Sequence, residues 1–190
     1  MKRKIKVAFI SGLMFIMLFI AWTVAVVSVD VKPVGVNGTS VGFATFNSWF
    51  HNLTEVNMTL YNITDWAGLV PIFICMFFGG VGLIQLIKRK SLLKVDFDII
   101  ALGIYYIIVI SGYIIFEMIP INYRPILING ILESSYPSST TLLVLSVMPT
   151  VIFQSNKRLQ NPKIKKMIVL MTNFFLCLWW QEDLFRVFIG

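Results

Sequence analysis

Residues 97–119 read FDIIALGIYYIIVISGYIIFEMI, from Phe97 to Ile119, and this stretch decides the fold class. It runs past twenty residues, enough to cross about 30 Å of hydrocarbon at about 1.5 Å per residue. In lipid a helix satisfies every backbone N–H and C=O within the segment, so the stretch predicts a spanning helix. On either side of it lie four further apolar stretches: Val7–Val27, Ala67–Ile87, Ser138–Phe153 and one beginning at Met167. The fourth span in chain order is short and contains Pro149, so it borrows length from its flanks. With 57% hydrophobic residues and a mean hydropathy of +0.82, the chain is too apolar for a soluble domain of 190 residues. The expectation is an all-α polytopic membrane bundle of five spans, with residues 1–190 forming one membrane-embedded domain.

Charge sets the expected orientation. Thirteen of the sixteen Lys and Arg residues fall in three clusters: Lys2, Arg3, Lys4, Lys6; Lys88, Arg89, Lys90, Lys94; and Lys157, Arg158, Lys163, Lys165, Lys166. The positive-inside rule puts all three on the cytoplasmic side, which they can share only if the spans alternate from a cytoplasmic N-terminus. Residues 30–66 and 120–137 are then extracytoplasmic. A formal charge of +7 laid out at helix ends is explained by topology and anionic lipid, so nucleic acid is not expected as a partner. The first span resembles a signal peptide. Its apolar run is longer than such a peptide needs and no small-x-small cleavage site follows cleanly, so it is read as a retained anchor.

Within residues 30–66, the segment Asp30–Ser40 reads as a loop rich in Val, Gly and Pro. Beyond it, Phe46, Trp49, Phe50, Leu53, Leu60 and Ile63 recur at helical spacing with Asn and Thr between them, predicting an amphipathic interfacial helix. Asn37, Asn52, Asn57 and Asn62 each begin an N-x-Thr sequon, a pattern that interfacial loops also carry. His51, the one histidine, reads as a polar interfacial residue. Cys75 and Cys177 lie in apolar stretches without a CxxC pattern, so they read as buried thiols. No metal or cofactor is expected.

The chemistry concentrates between the third and fourth spans. Glu117 is followed by Tyr123-Arg124-Pro125, then by Glu133-Ser-Ser-Tyr-Pro137-Ser138-Ser139-Thr140-Thr141. Arg offers a planar fork of donors that matches phosphate oxygens and stays charged. Pro137 prepares a helix start, so Ser138, Ser139 and Thr140 occupy a first turn where backbone N–H groups and the helix dipole favour an anion. The same residues also describe a capped helix start with an Arg anchored to lipid headgroups. The residues alone leave both readings open.

This loop resembles the active-site loop of the type 2 phosphatidic acid phosphatase family, the membrane relatives of the vanadium haloperoxidases. That family carries K-x6-R-P and P-S-G-H motifs on the outer side between the third and fourth of six spans. Arg124-Pro125 matches the end of the first motif and Pro137-Ser138 the start of the second. The resemblance implies Arg124, Ser138 and Ser139 as phosphate contacts. It also implies metal-independent hydrolysis of a phosphomonoester or pyrophosphate on a lipid, through a phosphohistidine. Three positions depart from the family pattern: its Lys falls on Glu117, its Gly on Ser139, and its general-acid His on Thr140, which has no proton near neutral pKa to give.

The family's third motif supplies the nucleophilic His after the fifth span, and this chain has no His beyond His51. It ends with Gln181, Glu182, Asp183 and Arg186 where a membrane exit would be apolar. One permitted coding string for Leu176–Gly190, read from its third base, encodes M-F-M-V-A-G-R-F-I-S-G-V-H-W, a likeness of the missing motif. Phe188 followed by Ile189 allows only Tyr or His at the shifted position, and Asn173–Leu176 can be encoded by a long run of T. The expectation is a C-terminally frameshifted or truncated member of the family, inactive as written, in the plasma membrane of a bacterium. The alternative is a non-catalytic membrane protein binding lipid phosphate or a protein partner. A transporter subunit has little support, because the spans carry almost no ionisable group beyond Glu117.

Overall fold

The computed structural model describes residues 2–35, 38–54, 58–128 and 131–189; the side chains at 2, 4, 51, 53–54, 58–61, 124–128, 131–133 and 181–189 stand outside that description. Among the described residues, seven α-helices and one hairpin follow in order, with a short 3-10 turn at Leu92–Lys94: α1 (Lys2–Ser28), α2 (Ala44–Thr54), α3 (Met58–Ala67), α4 (Val70–Arg89), α5 (Phe97–Met118), β1 (Asn122–Ile128), β2 (Ile131–Tyr136), α6 (Ser139–Arg158) and α7 (Pro162–Ile189). Three stretches among the described residues are long and apolar enough to cross a membrane: Ile5–Ser28, Asn62–Arg89 and Phe97–Met118, with mean hydropathies of 2.4, 2.3 and 2.4. These coincide with the first three expected spans, as a helical membrane protein requires.

Helices also form where the fourth and fifth spans were expected, yet neither α6 nor α7 is among those three. Ser139, Thr140, Thr141, Ser146, Thr150, Gln154 and Ser155 dilute the hydropathy of α6, and Lys163, Lys165 and Lys166 load the start of α7. The chain forms two compact units, one of residues 1–55, 121–136 and 188–190, the other of 56–120 and 137–187.

The first unit is organised around Gly42. Its N–H donates to Asn122 Oδ1 at 3.2 Å, and its carbonyl accepts from Asn47 Nδ2 at 2.9 Å. A Cβ at Gly42 would collide with the Val26 carbonyl at the end of α1, so only glycine permits this approach. Val26, Val41 and Ala44 are buried around it. Asp30 closes the turn into α2: its carboxylate accepts from Thr45 N at 2.7 Å and pairs with Lys32 Nζ at 3.2 Å. The backbone bond from Thr45, first, holds the Asp30 carboxyl below its ordinary value. The expected loop over Asp30–Ser40 therefore folds back, with a bridge between Lys32 and Val41. The expected interfacial helix is two helices, α2 and α3, with residues 55–57 outside the description.

Residues 120–137, read as a loop, contain a hairpin instead. β1 and β2 pair antiparallel through Asn122↔Tyr136, Tyr123↔Ser134, Leu127↔Leu132 and Ile128↔Ile131, with a register irregularity between Tyr123 and Leu127. That irregularity brackets Pro125, which cannot donate to the ladder. Tyr136 stacks on Phe19 of α1 and shares a 2.8 Å hydrogen bond with Thr23.

In the second unit α6 packs against both α4 and α5. Its Leu143, Val144, Val147 and Met148 are buried at helical spacing, and α5 answers with Ile99, Leu102, Tyr106 and Val109. Because α6 faces protein on more than one side, it needs less apolar surface than a helix surrounded by lipid. Pro149 leaves its preceding turn short of a donor. Nearby, Tyr105 OH donates to the Ser146 carbonyl at 3.1 Å, and Tyr106 OH bonds Thr150 Oγ1 at 2.6 Å.

Candidate functional site

Both ends of the second unit carry polar chemistry. At the first, α5 ends with Glu117 and α6 begins after Ser138. Ser138 caps α6 with extended backbone angles, its Oγ accepting from Thr141 N at 3.2 Å and donating to Thr141 Oγ1 at 2.8 Å. Trp179 of α7 donates Nε1–H to the same Thr141 Oγ1 at 3.1 Å. Ser139, 7% exposed, donates its hydroxyl to Glu117 Oε2 at 2.7 Å. Thr140 is half-buried, and its methyl would stand 2.7 Å from a Cβ at Gly68, in the turn between α3 and α4.

Two of the residues expected to contact phosphate, Ser138 and Ser139, thus make hydrogen bonds within the chain. The Ser138 hydroxyl serves the cap. The Ser139 hydroxyl points its proton at a carboxylate, and that carboxylate lies beside the positive end of the α6 dipole. Glu117 therefore supplies, from the chain itself, the anion that this helix start favours. The Thr140 methyl lies near Gly68. Arg124 lies on β1 in the first unit, and its side chain stands outside the described residues, as does that of His51. The side chains of Gln181, Glu182, Asp183 and Arg186 stand outside them too, although the backbone there continues α7.

The opposite end was not singled out by the sequence reading beyond its lysines and arginines. Asp96, which precedes α5, accepts from Arg89 Nη1 at 2.7 Å, from Gln85 Nε2 at 2.9 Å and from Arg158 Nη1 at 3.4 Å. Asp98 in the first turn of α5 takes Arg158 Nη2 at 2.7 Å and Lys157 Nζ at 2.8 Å. Each charge suits its helix end: acids at the start of α5, bases in the last turns of α4 and α6. The Arg89 and Gln85 hydrogen bonds hold the Asp96 carboxyl below its ordinary value. This network joins Arg89 of the second basic cluster with Lys157 and Arg158 of the third at one end of the unit. The signal in the sequence was Asp96 just before a long apolar run, the pattern of a helix N-cap.

Among the described residues, no group of His, Cys, Asp and Glu has the arrangement to hold a metal ion. No protein-family model, curated protein or solved structure matches this chain.

Proposed function

We propose that this chain is a non-catalytic integral membrane protein that associates with anionic lipid, built on a layout resembling the lipid phosphate phosphatases without their phosphate seat. One observation carries the reading: the 2.7 Å hydrogen bond from Ser139 to Glu117. A phosphate-binding turn needs hydroxyls and N–H groups free to donate, and a cation beside them. Here a carboxylate takes the hydroxyl and repels a second anion. The position of the family's acid holds Thr140, packed near Gly68, and Thr140 cannot protonate a leaving group at neutral pH.

The surplus positive charge lies at the other end of the unit, where residues 88–94 and 157–166 carry basic clusters against Asp96 and Asp98. In the proposed topology that end faces the cytoplasm, the N-terminus lies on the same side, and the Ser138–Thr141 turn faces outward in a bacterial plasma membrane. The test is an assay of the purified full chain in vesicles of phosphatidylcholine containing phosphatidic acid. No phosphate release above a protein-free control is expected with or without a metal chelator; turnover that survives repurification would restore the phosphatase reading.

A further inference from the structure

The second unit carries a groove of about 530 Å³ between α4, α6 and α7, within the roughly 300–1,000 Å³ common for small-molecule sites. Phe73, Phe77 and Val81 of α4, Val151 of α6 and Ile168 of α7 give it apolar walls. Phe73 and Phe77 are 64% and 66% exposed, so part of that wall is open. Its polar lining differs in kind: Gln154, Ser155 and Arg158, all on α6. Gln154 is 2% exposed and Ser155 9%.

The carbonyl oxygen of Gln154 accepts from Arg158 Nε at 2.9 Å, while its amide nitrogen makes no hydrogen bond among the described residues. Leaving a buried donor unsatisfied costs about 1–3 kcal/mol, which points to an acceptor supplied from outside the protein. Of the other grooves, the one between α4 and α5 has no charged residue in its lining, and the one between α5 and α6 also reaches Gln154 but lacks Arg158 and carries Asp98 and Lys157 paired at 2.8 Å.

We propose that this groove holds one anionic phospholipid, an acyl chain against the α4 phenylalanines and the phosphodiester oxygens at Gln154, Ser155 and Arg158. Asp96, Asp98 and Gln154 fix the Arg158 guanidinium in place, and it has more N–H donors than those contacts use. The basic clusters around it outnumber the two acids, giving the charge complementarity that a zwitterionic lipid would not exploit. This inference rests on the reading of the chain as a non-catalytic lipid-associated protein and specifies where the lipid binds.

The test is native mass spectrometry of the purified full chain in detergent, titrated with short-chain phosphatidylglycerol or phosphatidylcholine. One phosphatidylglycerol per chain is expected to survive, with phosphatidylcholine retained about tenfold less. Val151→Phe and, on the other wall, Val81→Phe should each abolish the preference, with helicity by circular dichroism confirming the fold. Gln154→Leu should weaken retention about tenfold. The inference fails if both lipids are retained equally, if both wall-filling variants leave retention unchanged, or if the chain pairs with a second copy and carries no lipid. Phosphate release from phosphatidic acid by the same sample would remove the non-catalytic reading and leave lipid retention to be judged by itself.

Discussion

The Ser139 hydroxyl and the Glu117 carboxylate meet at 2.7 Å across the end of α5 and the start of α6, so an acid of the chain sits where a helix start favours an anion. Glu117→Gln should lower stability by about 1 kcal/mol, through loss of a charged hydrogen bond and of the dipole interaction. The same variant should bind inorganic phosphate or vanadate better than the parent. Calorimetric titration in detergent reads the second effect, and equal binding by both proteins would mean that Glu117 does not exclude anions.

Ser138 caps α6 through Thr141 N at 3.2 Å. Ser138→Ala should cost about 1 kcal/mol and Ser138→Asp should retain most of the stability, since a carboxylate caps as well as a hydroxyl. Unfolding in mixed micelles measures both. A neutral alanine variant would show that the Ser138 cap does not hold this turn.

Gly42→Ala should disrupt the first unit, because its Cβ would meet the backbone carbonyl of Val26, which cannot swing aside as a side chain can. Gly103→Ala in α5, where a Cβ meets nothing within 4 Å, is the control. It should be neutral or gain up to about 1 kcal/mol from helix propensity. Limited proteolysis between α1 and α2 separates the two outcomes.

Asp96 confers a pH dependence whose sign follows from its depressed folded value. Its contribution is fully present above the unfolded value near 3.8 and is lost as pH falls through the lower folded value. The effect is small, because the carboxyl is exposed and screened. Melting between pH 7 and pH 3 should therefore fall slightly more steeply for the parent than for Asp96→Asn. Identical slopes would exclude a role for this carboxylate.

The hairpin was partly legible. Ile126-Leu-Ile-Asn129-Gly130-Ile-Leu132 places Asn-Gly between apolar pairs, a strong hairpin signal. Membrane topology makes residues 120–137 a connection between spans, and connections read as loops. The helix start at Ser138–Ser139 was legible from Pro137 and the hydroxyls, and the cap bears this out. The anion chemistry of the same turn depends on which partner each hydroxyl takes, and that is not written in its own neighbourhood.

The long apolar helices needed nothing beyond the linear chain. α1, α4 and α5 lie within a few residues of the apolar runs that predicted them, because helical hydrogen bonds close within four residues and an apolar surround penalises any other backbone. Partnership across helices was decided by tertiary structure alone. Glu117 finds Ser139 twenty-two positions away, and Arg158 reaches Asp98 sixty positions back. Which acid meets which donor depends on how α4, α5 and α6 are packed, and that packing is set by the joint fit of many side chains that no local pattern specifies.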